Sequence, residues 1–162
     1  MRNITGRILQ VATATAVMTL MAVVINGQRG RAAVTALTSP EQPLFSEYKG
    51  IRLGMTAAEV RAKLGNPTMK ADDQDYYMFS ESESAQFAYN ATHNVVTISI
   101  DYAGPGAPDY RNVVGPSIDQ MQDGALYKLV RYEAQGFWVS YSRAAGTNGT
   151  VTITIQKINA LR

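Results

Sequence analysis

The 162-residue chain is long enough for one domain with an N-terminal extension. It has no cysteine, which excludes disulfides, thiolate metal sites, a cysteine nucleophile and an acylated cysteine as lipid anchor. The formal net charge is +2, but from Ser39 onward 11 Lys or Arg residues stand against 13 Asp or Glu residues. A nucleic-acid-binding domain usually carries a basic patch on its folded part, whereas this part of the chain has slightly more acidic than basic residues. We therefore expect no nucleic-acid partner.

The first predicted element is an uncharged apolar run, residues 8–25, which follows Arg2 and Arg7. As a helix rising about 1.5 Å per residue, it would be roughly 27 Å long, close to the thickness of a bilayer core. A basic start before an apolar run is typical of an export signal, and Val34-Thr35-Ala36 would suit cleavage. The pattern is therefore consistent with two fates of residues 1–25, a cleaved signal segment and a retained membrane anchor, of which the length favours the anchor.

Residues 26–44 are mostly small or polar and include two prolines. This composition predicts a flexible linker between the N-terminal segment and a folded body. Whether or not the N-terminal segment is cleaved, the body is expected to fold outside the cytoplasm.

The body opens with the stretch IRLGMTAAEVRAKLGNP, which predicts a helix over residues 57–64. Thr56 and Glu59 have the spacing of a capping box at its start. Gly65 and the proline two residues later are typical of a helix end. A helix of two turns is unstable alone in water, so these caps and a packing surface must hold it.

Strands are predicted to supply that surface, because β-branched and aromatic residues recur with a period of two. In chain order the predicted strands are residues 76–79, 85–89, 95–100, 127–132, 137–142 and 150–156. Ser117 and Gln120 have the spacing of a second capping box, around a second short helix within residues 117–122. The pattern predicts an α+β fold, with short helices on one face of an antiparallel sheet. It also predicts a tandem helix-plus-three-strand repeat, with units at 45–102 and 103–162.

Over residues 45–101 the chain resembles the BamE/SmpA-like family of small envelope lipoproteins. The shared residues are Gly54, Met55, Thr56, Glu59, Val60, Leu64, Gly65 and Pro67, followed by a Tyr/Phe strand and a Val/Ile strand. The tandem pattern is similar to the β-lactamase-inhibitor-like fold, a relative in which the unit is duplicated. The chain differs from the family in lacking a lipidated cysteine and in having about 60 extra residues.

The resemblance implies helices packed on one face of an antiparallel sheet and a binding role in outer-membrane assembly. The partner would be one or more envelope proteins on the periplasmic side of a bacterial membrane. We therefore expect a non-catalytic, membrane-tethered binding or scaffold module. A secreted enzyme inhibitor is the alternative, and an enzyme is the least favoured of the three classes.

Residues that could carry chemistry are sparse. His93 is the single histidine and lies in a predicted hairpin loop, where a solvated turn residue is expected. The acidic residues in the middle of the chain are Asp72, Asp73, Asp75, Glu81 and Glu83. They lack the spacing of a calcium-binding loop, so a solvated acidic loop is expected. No catalytic, cofactor-binding or metal-binding residue is predicted.

Trp138 is the candidate partner-binding residue. In the strand predicted over residues 137–142, the odd-numbered residues should face the core and Trp138 the opposite side. The side chains expected beside it are Ser140, Ser142, Thr152 and Thr154. A tryptophan among hydroxyls suits a contact with a protein partner, and Tyr132 is predicted to join it. The alternatives are that the linker or a loop covers Trp138, or that the register of the strand is shifted so that Trp138 faces the core.

We predict that residues 8–25 direct the chain to the membrane and that residues 45–162 fold outside the cytoplasm. A reporter enzyme that works only outside the cytoplasm, fused after residue 162, should be active with residues 8–25 present and inactive when they are deleted. Activity confined to a cytoplasmic reporter would contradict this. Fractionation then separates an anchored module in the membrane pellet from a released inhibitor.

Overall fold

A computed structural model describes residues 42–146 and 149–158. The predicted anchor or signal segment, residues 1–25, lies outside the described residues, as does the predicted linker up to residue 41. Within the described ranges, no helix has the length and apolar character needed to cross a membrane.

The described chain alternates two short helices with ten strands. Its elements before residue 103 are β1 (Glu47–Tyr48), β2 (Ile51–Arg52), α1 (Ala57–Leu64), β3 (Met69–Lys70), β4 (Gln74–Ser80), β5 (Glu83–Tyr89) and β6 (Val95–Tyr102). The later elements are α2 (Arg111–Val114), β7 (Asp119–Gln120), β8 (Leu126–Tyr132), a 3-10 turn (Glu133–Gln135), β9 (Phe137–Arg143) and β10 (Val151–Lys157).

Eight of the strands form one antiparallel sheet, and β1 and β2 form a separate two-stranded ribbon. The order across the large sheet is β3-β4-β5-β6-β10-β9-β8-β7. Each half therefore contains one two-residue strand and three longer ones. The halves meet where β10 pairs with β6 over the residues from Val151 to Gln156.

The predicted α+β fold is wrong, because residues 42–146 and 149–158 are mainly β, with one eight-stranded sheet and two helices of eight and four residues. The two regions that the sequence divides into units share one sheet and one core, since β6 and β10 pair directly. Capping residues and apolar spacing indicate where a helix begins. They do not indicate what fraction of the sheet the helix covers, and this fraction distinguishes an α+β fold from a mainly β fold.

The second capping box is also wrong. Asp119 and Gln120 pair with β8 as strand β7, and the helix lies earlier, at Arg111–Val114. The hydroxyl and carbonyl oxygens of Ser117 both accept from Lys128 Nζ, each at 3.0 Å. The serine side chain is therefore held by β8 rather than placed over the first turn of a helix.

The predicted strands and the first helix agree with the structure. All six long strands are present within two residues of their expected ends, and α1 has the predicted bounds. Thr56 Oγ1 accepts from Glu59 N at 3.2 Å, and Glu59 Oε2 accepts from Thr56 N at 2.7 Å, so the capping box is complete. Gly65 has φ 81°, a conformation that favours glycine at the end of a helix.

One face of the sheet carries the core, against which α1 and α2 place Val60, Val113 and Val114. The largest apolar side chains in the core with less than 2% exposure are Ile51, Phe87, Ile98, Ile100, Ile153 and Ile155. Burial of each such side chain contributes about 1.5–3 kcal/mol. Because these residues come from both halves of the sheet, neither half can complete the core alone.

Asp75 corrects the expectation of a solvated acidic loop, because it lies in β4 with an exposed fraction of 0%. Arg61 of α1 donates to both of its carboxylate oxygens, at 2.8 and 3.0 Å, and Tyr89 donates its hydroxyl to Oδ2 at 2.8 Å. The hydrogen bond to Asp75 raises the pKa of Arg61. Burial, followed by the bond to Asp75, raises the pKa of Tyr89 well above its ordinary range. The buried carboxylate therefore holds α1 on the sheet.

We predict that Arg61→Ala lowers the free energy of unfolding by about 3 kcal/mol, because it leaves a buried carboxylate without its cation. Urea denaturation at neutral pH measures the change. Arg52→Ala is the matched control, since Arg52 forms an exposed pair with Glu47 and should lose less than about 1 kcal/mol. Equal small losses in the two variants would show that Asp75 does not depend on Arg61.

A second carboxylate, Glu83, attaches the β1–β2 ribbon to the sheet. Tyr48 donates its hydroxyl to Glu83 Oε1 at 2.6 Å, and Lys49 Nζ lies 3.2 Å from the same oxygen. The hydrogen bond from Tyr48, with the lysine beside it, lowers the pKa of Glu83. The charged carboxylate therefore stabilises the folded state.

We predict that acid removes this contribution. Because the pKa of Glu83 is lower in the folded protein, its contribution is present above the unfolded pKa, about 4.3, and is lost as the pH falls through the folded value. Glu83→Gln should therefore reduce the loss of stability between pH 5 and pH 3, whereas the exposed Glu81→Gln should leave it unchanged. Identical urea midpoints of Glu83→Gln and the unmodified protein at every pH would contradict this.

Candidate functional site

The candidate site is the open face of the sheet, defined as the strand side chains that point away from the core. Strand pairing places one row of these side chains across seven strands, with opposite partners on the same side. The row runs Met69, Tyr76, Gln86, Ser99, Thr154, Ser140 and Leu129. Among the described residues, no helix lies on this face.

The centre of the open face is rich in hydroxyl groups. Its side chains there are Thr97, Ser99, Ser140, Ser142, Thr152 and Thr154. Thr152 donates its hydroxyl to Asp101 Oδ1 at 2.6 Å. Threonine suits a strand because its branched side chain packs on the pleat, and its hydroxyl can bind water. Ser140 is buried and the other five are half-buried, so the centre of the face is polar but only partly accessible to solvent.

The two ends of the open face are apolar. Six large hydrophobic residues are exposed in the described part of the chain, and four of them are on this face. These four are Met69, Met78, Tyr127 and Leu129, with exposed fractions of 65%, 58%, 39% and 36%. A soluble sheet face ordinarily alternates apolar-inside with polar-outside, so this clustering departs from the pattern. The methionine cluster is Met69, Tyr76 and Met78, and the tryptophan cluster is Tyr127, Leu129 and Trp138.

Trp138 lies where strand alternation predicts it. It is opposite Gln156 and Arg131 on the open face, while Val139 and Tyr141 are buried in the core. Its side chain is partly buried. Leu129 pairs with Ser140, so it is a diagonal neighbour of Trp138 on the same face. The role of Trp138 in binding a partner stays a prediction.

The structure does not bring Tyr132 together with Trp138. Tyr132 is 5% exposed and pairs with Phe137 on the core face, where their ring centroids are 5.3 Å apart. Strand β8 has apolar residues on both faces, so its sequence alone does not reveal which side Tyr132 occupies. The sequence pattern did not indicate Tyr127 and Leu129, which have the opposite parity in the same strand and lie on the open face.

Ionisable groups do not converge on the open face. His93 is exposed in the hairpin loop between β5 and β6, with φ 55°. Within residues 42–146 and 149–158, no three His, Cys, Asp or Glu side chains are grouped so that they could hold a metal ion. Arg131 lies at the edge beside the tryptophan cluster and pairs with Glu133 at 2.6 Å. The surface therefore offers apolar contacts, hydroxyls, the Asp101 carboxylate bonded to Thr152, and one paired arginine.

Comparison of the chain with protein-family models, curated proteins and solved structures finds no match to any of them.

Proposed function

We propose that this protein is an exported, non-catalytic binding module of the bacterial cell envelope, and that the tryptophan cluster contacts its protein partner. The observation that carries the proposal is the concentration of exposed apolar side chains on one face of the sheet. The opposite face already buries its own apolar residues against α1 and α2. The open face therefore has apolar surface that the described fold does not use.

The composition of this surface favours a protein partner. Interface cores are enriched in Tyr, Trp, Met and Arg and depleted in Lys, Glu and Asp. Tyr127 and Trp138, with Arg131 at their edge, match this composition. Covering an exposed apolar side chain of this size contributes about 1.5–3 kcal/mol, and tryptophan and tyrosine are frequent binding hot spots.

The placement in the envelope rests on the sequence. The apolar run of residues 8–25 supports export, and residues 26–44 have the composition of a tether. The resemblance of residues 45–101 to small envelope proteins supports the same compartment. A tether would leave the open face available to a partner while the chain stays at the membrane.

The experiment is crosslinking of the full chain in intact cells, followed by identification of the proteins attached to it. Trp138→Ala and Tyr127→Ser should each weaken partner binding by about 2 kcal/mol or more if they are hot spots. Tyr127→Ser tests the surface most directly, because the side chain is already 39% exposed and its loss should change the melting temperature little.

Ser99→Ala is the matched control, because Ser99 lies on the same face two strands away from β9. It should keep all crosslinked partners. If Trp138→Ala unfolds the protein, its loss of partners is uninformative and Tyr127→Ser decides. Full retention of partners by a folded Tyr127→Ser variant would show that the tryptophan cluster is not the interface.

A further inference from the structure

The two edges of the sheet differ in how much of their backbone is paired. Strand β7 pairs only with Leu126 and Tyr127 of β8. Met121 N donates to Ala125 O at 2.8 Å, so the main-chain groups of Ala125 point toward β7. In an antiparallel ladder every second residue points its N–H and C=O groups to the same side, so those of Tyr127 also point toward β7. The main-chain groups of Leu129 and Arg131 point to the same side, beyond the end of β7.

Within the described part of the chain, nothing pairs with that side of Leu129 or Arg131. In the described chain before β7, no main-chain group bonds to Leu129 or Arg131 on that side, and Pro116 has no N–H to donate. At the opposite edge of the sheet, β4 extends beyond the two-residue strand β3, but its next main-chain amide has a partner. There Met78 N donates to Thr68 Oγ1 at 3.0 Å, just beyond the short strand β3. Of these two positions in the described sheet, the β8 edge is the one that offers two successive residues to an incoming strand.

A groove of about 590 Å³ lies along this edge. Its lining residues within the described part of the chain are Gln42, Leu44, Val114, Gly115, Pro116, Lys128, Leu129, Val130, Arg131 and Tyr132. None of them is acidic. The Lys128 ammonium donates to two neutral oxygens of Ser117, and the Arg131 guanidinium is paired with Glu133 at an exposed position. The groove thus combines apolar walls, an open backbone edge and a lysine without a carboxylate partner among the described residues.

We infer that an extended, acidic segment of the partner protein adds to β8 as a further strand. Its backbone would pair with Leu129 and Arg131, and a carboxylate would face Lys128. This inference rests on the proposed function, because Leu129 belongs both to the edge and to the tryptophan cluster. A partner strand in the groove would therefore continue onto the open face.

Charge complementarity distinguishes three possible occupants of the groove: a second copy of the chain, the residues from 26 to 41 of the same chain, and a segment of another protein. Pairing with the β8 edge of a second copy would place Lys128 and Arg131 near their own counterparts. The residues of this chain from 26 to 41 carry Arg29 and Arg31 against Glu41, so their charge does not complement the groove either. A foreign acidic segment avoids both conflicts.

The test uses the purified full chain, amide hydrogen exchange and a blocked synthetic peptide of alternating valine and threonine with two central glutamates. Saturating peptide should slow exchange of the Leu129 and Arg131 amides by about tenfold or more. The same peptide with lysines in place of the glutamates should bind about tenfold more weakly, because its charge does not complement Lys128. A glutamate peptide N-methylated at its pairing amides should also bind about tenfold more weakly, because it cannot form the main-chain hydrogen bonds. Lys128→Glu should invert the preference between the two charged peptides, whereas Glu81→Gln, far along the chain, should not.

Three results would overturn the inference. Slow exchange at both amides before peptide is added, at every protein concentration, would mean that the chain itself covers the edge. Slow exchange that appears only at high protein concentration would mean that a second copy does so. Fast exchange unchanged by the glutamate peptide would mean that the edge does not accept a strand. In each case, loss of crosslinked partners in Tyr127→Ser would still support the proposed function, so the two failures are distinguishable.

Discussion

The ion pair between Arg61 and Asp75 determines how the first half of the molecule is assembled. A fully buried carboxylate is stable only when its charge is paired and its oxygens are hydrogen-bonded. Here the Arg61 guanidinium supplies the opposite charge, and the Tyr89 hydroxyl donates a further hydrogen bond. Arg61 belongs to the two-turn helix α1, so its bonds to Asp75 fix the position of that helix on the sheet. Tyr77 adds a hydroxyl bond to Gly65 O at 3.1 Å, which holds the end of the helix as well. With α1 fixed on one face, the apolar residues of the other face are left without a cover from the described chain.

Local patterns predicted the elements well and their arrangement poorly. The helix at residues 57–64 was predictable because its capping box and its terminal glycine act within one turn. The long strands were predictable because alternation is a property of neighbouring residues. The burial of Asp75 was not, since its cation lies 14 residues away and only the folded sheet brings the two together. Ser117 misled for a similar reason, because a lysine on β8 competes for its oxygens.

The candidate site was likewise predictable from the sequence only in part. The side of the sheet that Trp138 occupies followed from alternation within one strand. The positions of Leu129 diagonally beside it and of Tyr127 farther along the same face did not follow, because β8 has apolar residues at both parities and its sequence fits either orientation. Met69 lies in a strand of only two residues, which is too short to produce a periodic signal. The sequence therefore indicated one residue of the surface, and the strand pairing assembled the others around it.

The central position of β10 also constrains when the chain can fold. Strand β10 pairs on one side with β6, about fifty residues earlier, so the pairing that joins the two halves is strongly non-local. Its residues Ile153 and Ile155 are fully buried in the shared core. Loop closure must precede such pairing, which slows folding, and the core is incomplete until residues 151–157 have been synthesised. A nascent chain with this topology therefore keeps the apolar strands of its first half without a complete core until β10 has emerged.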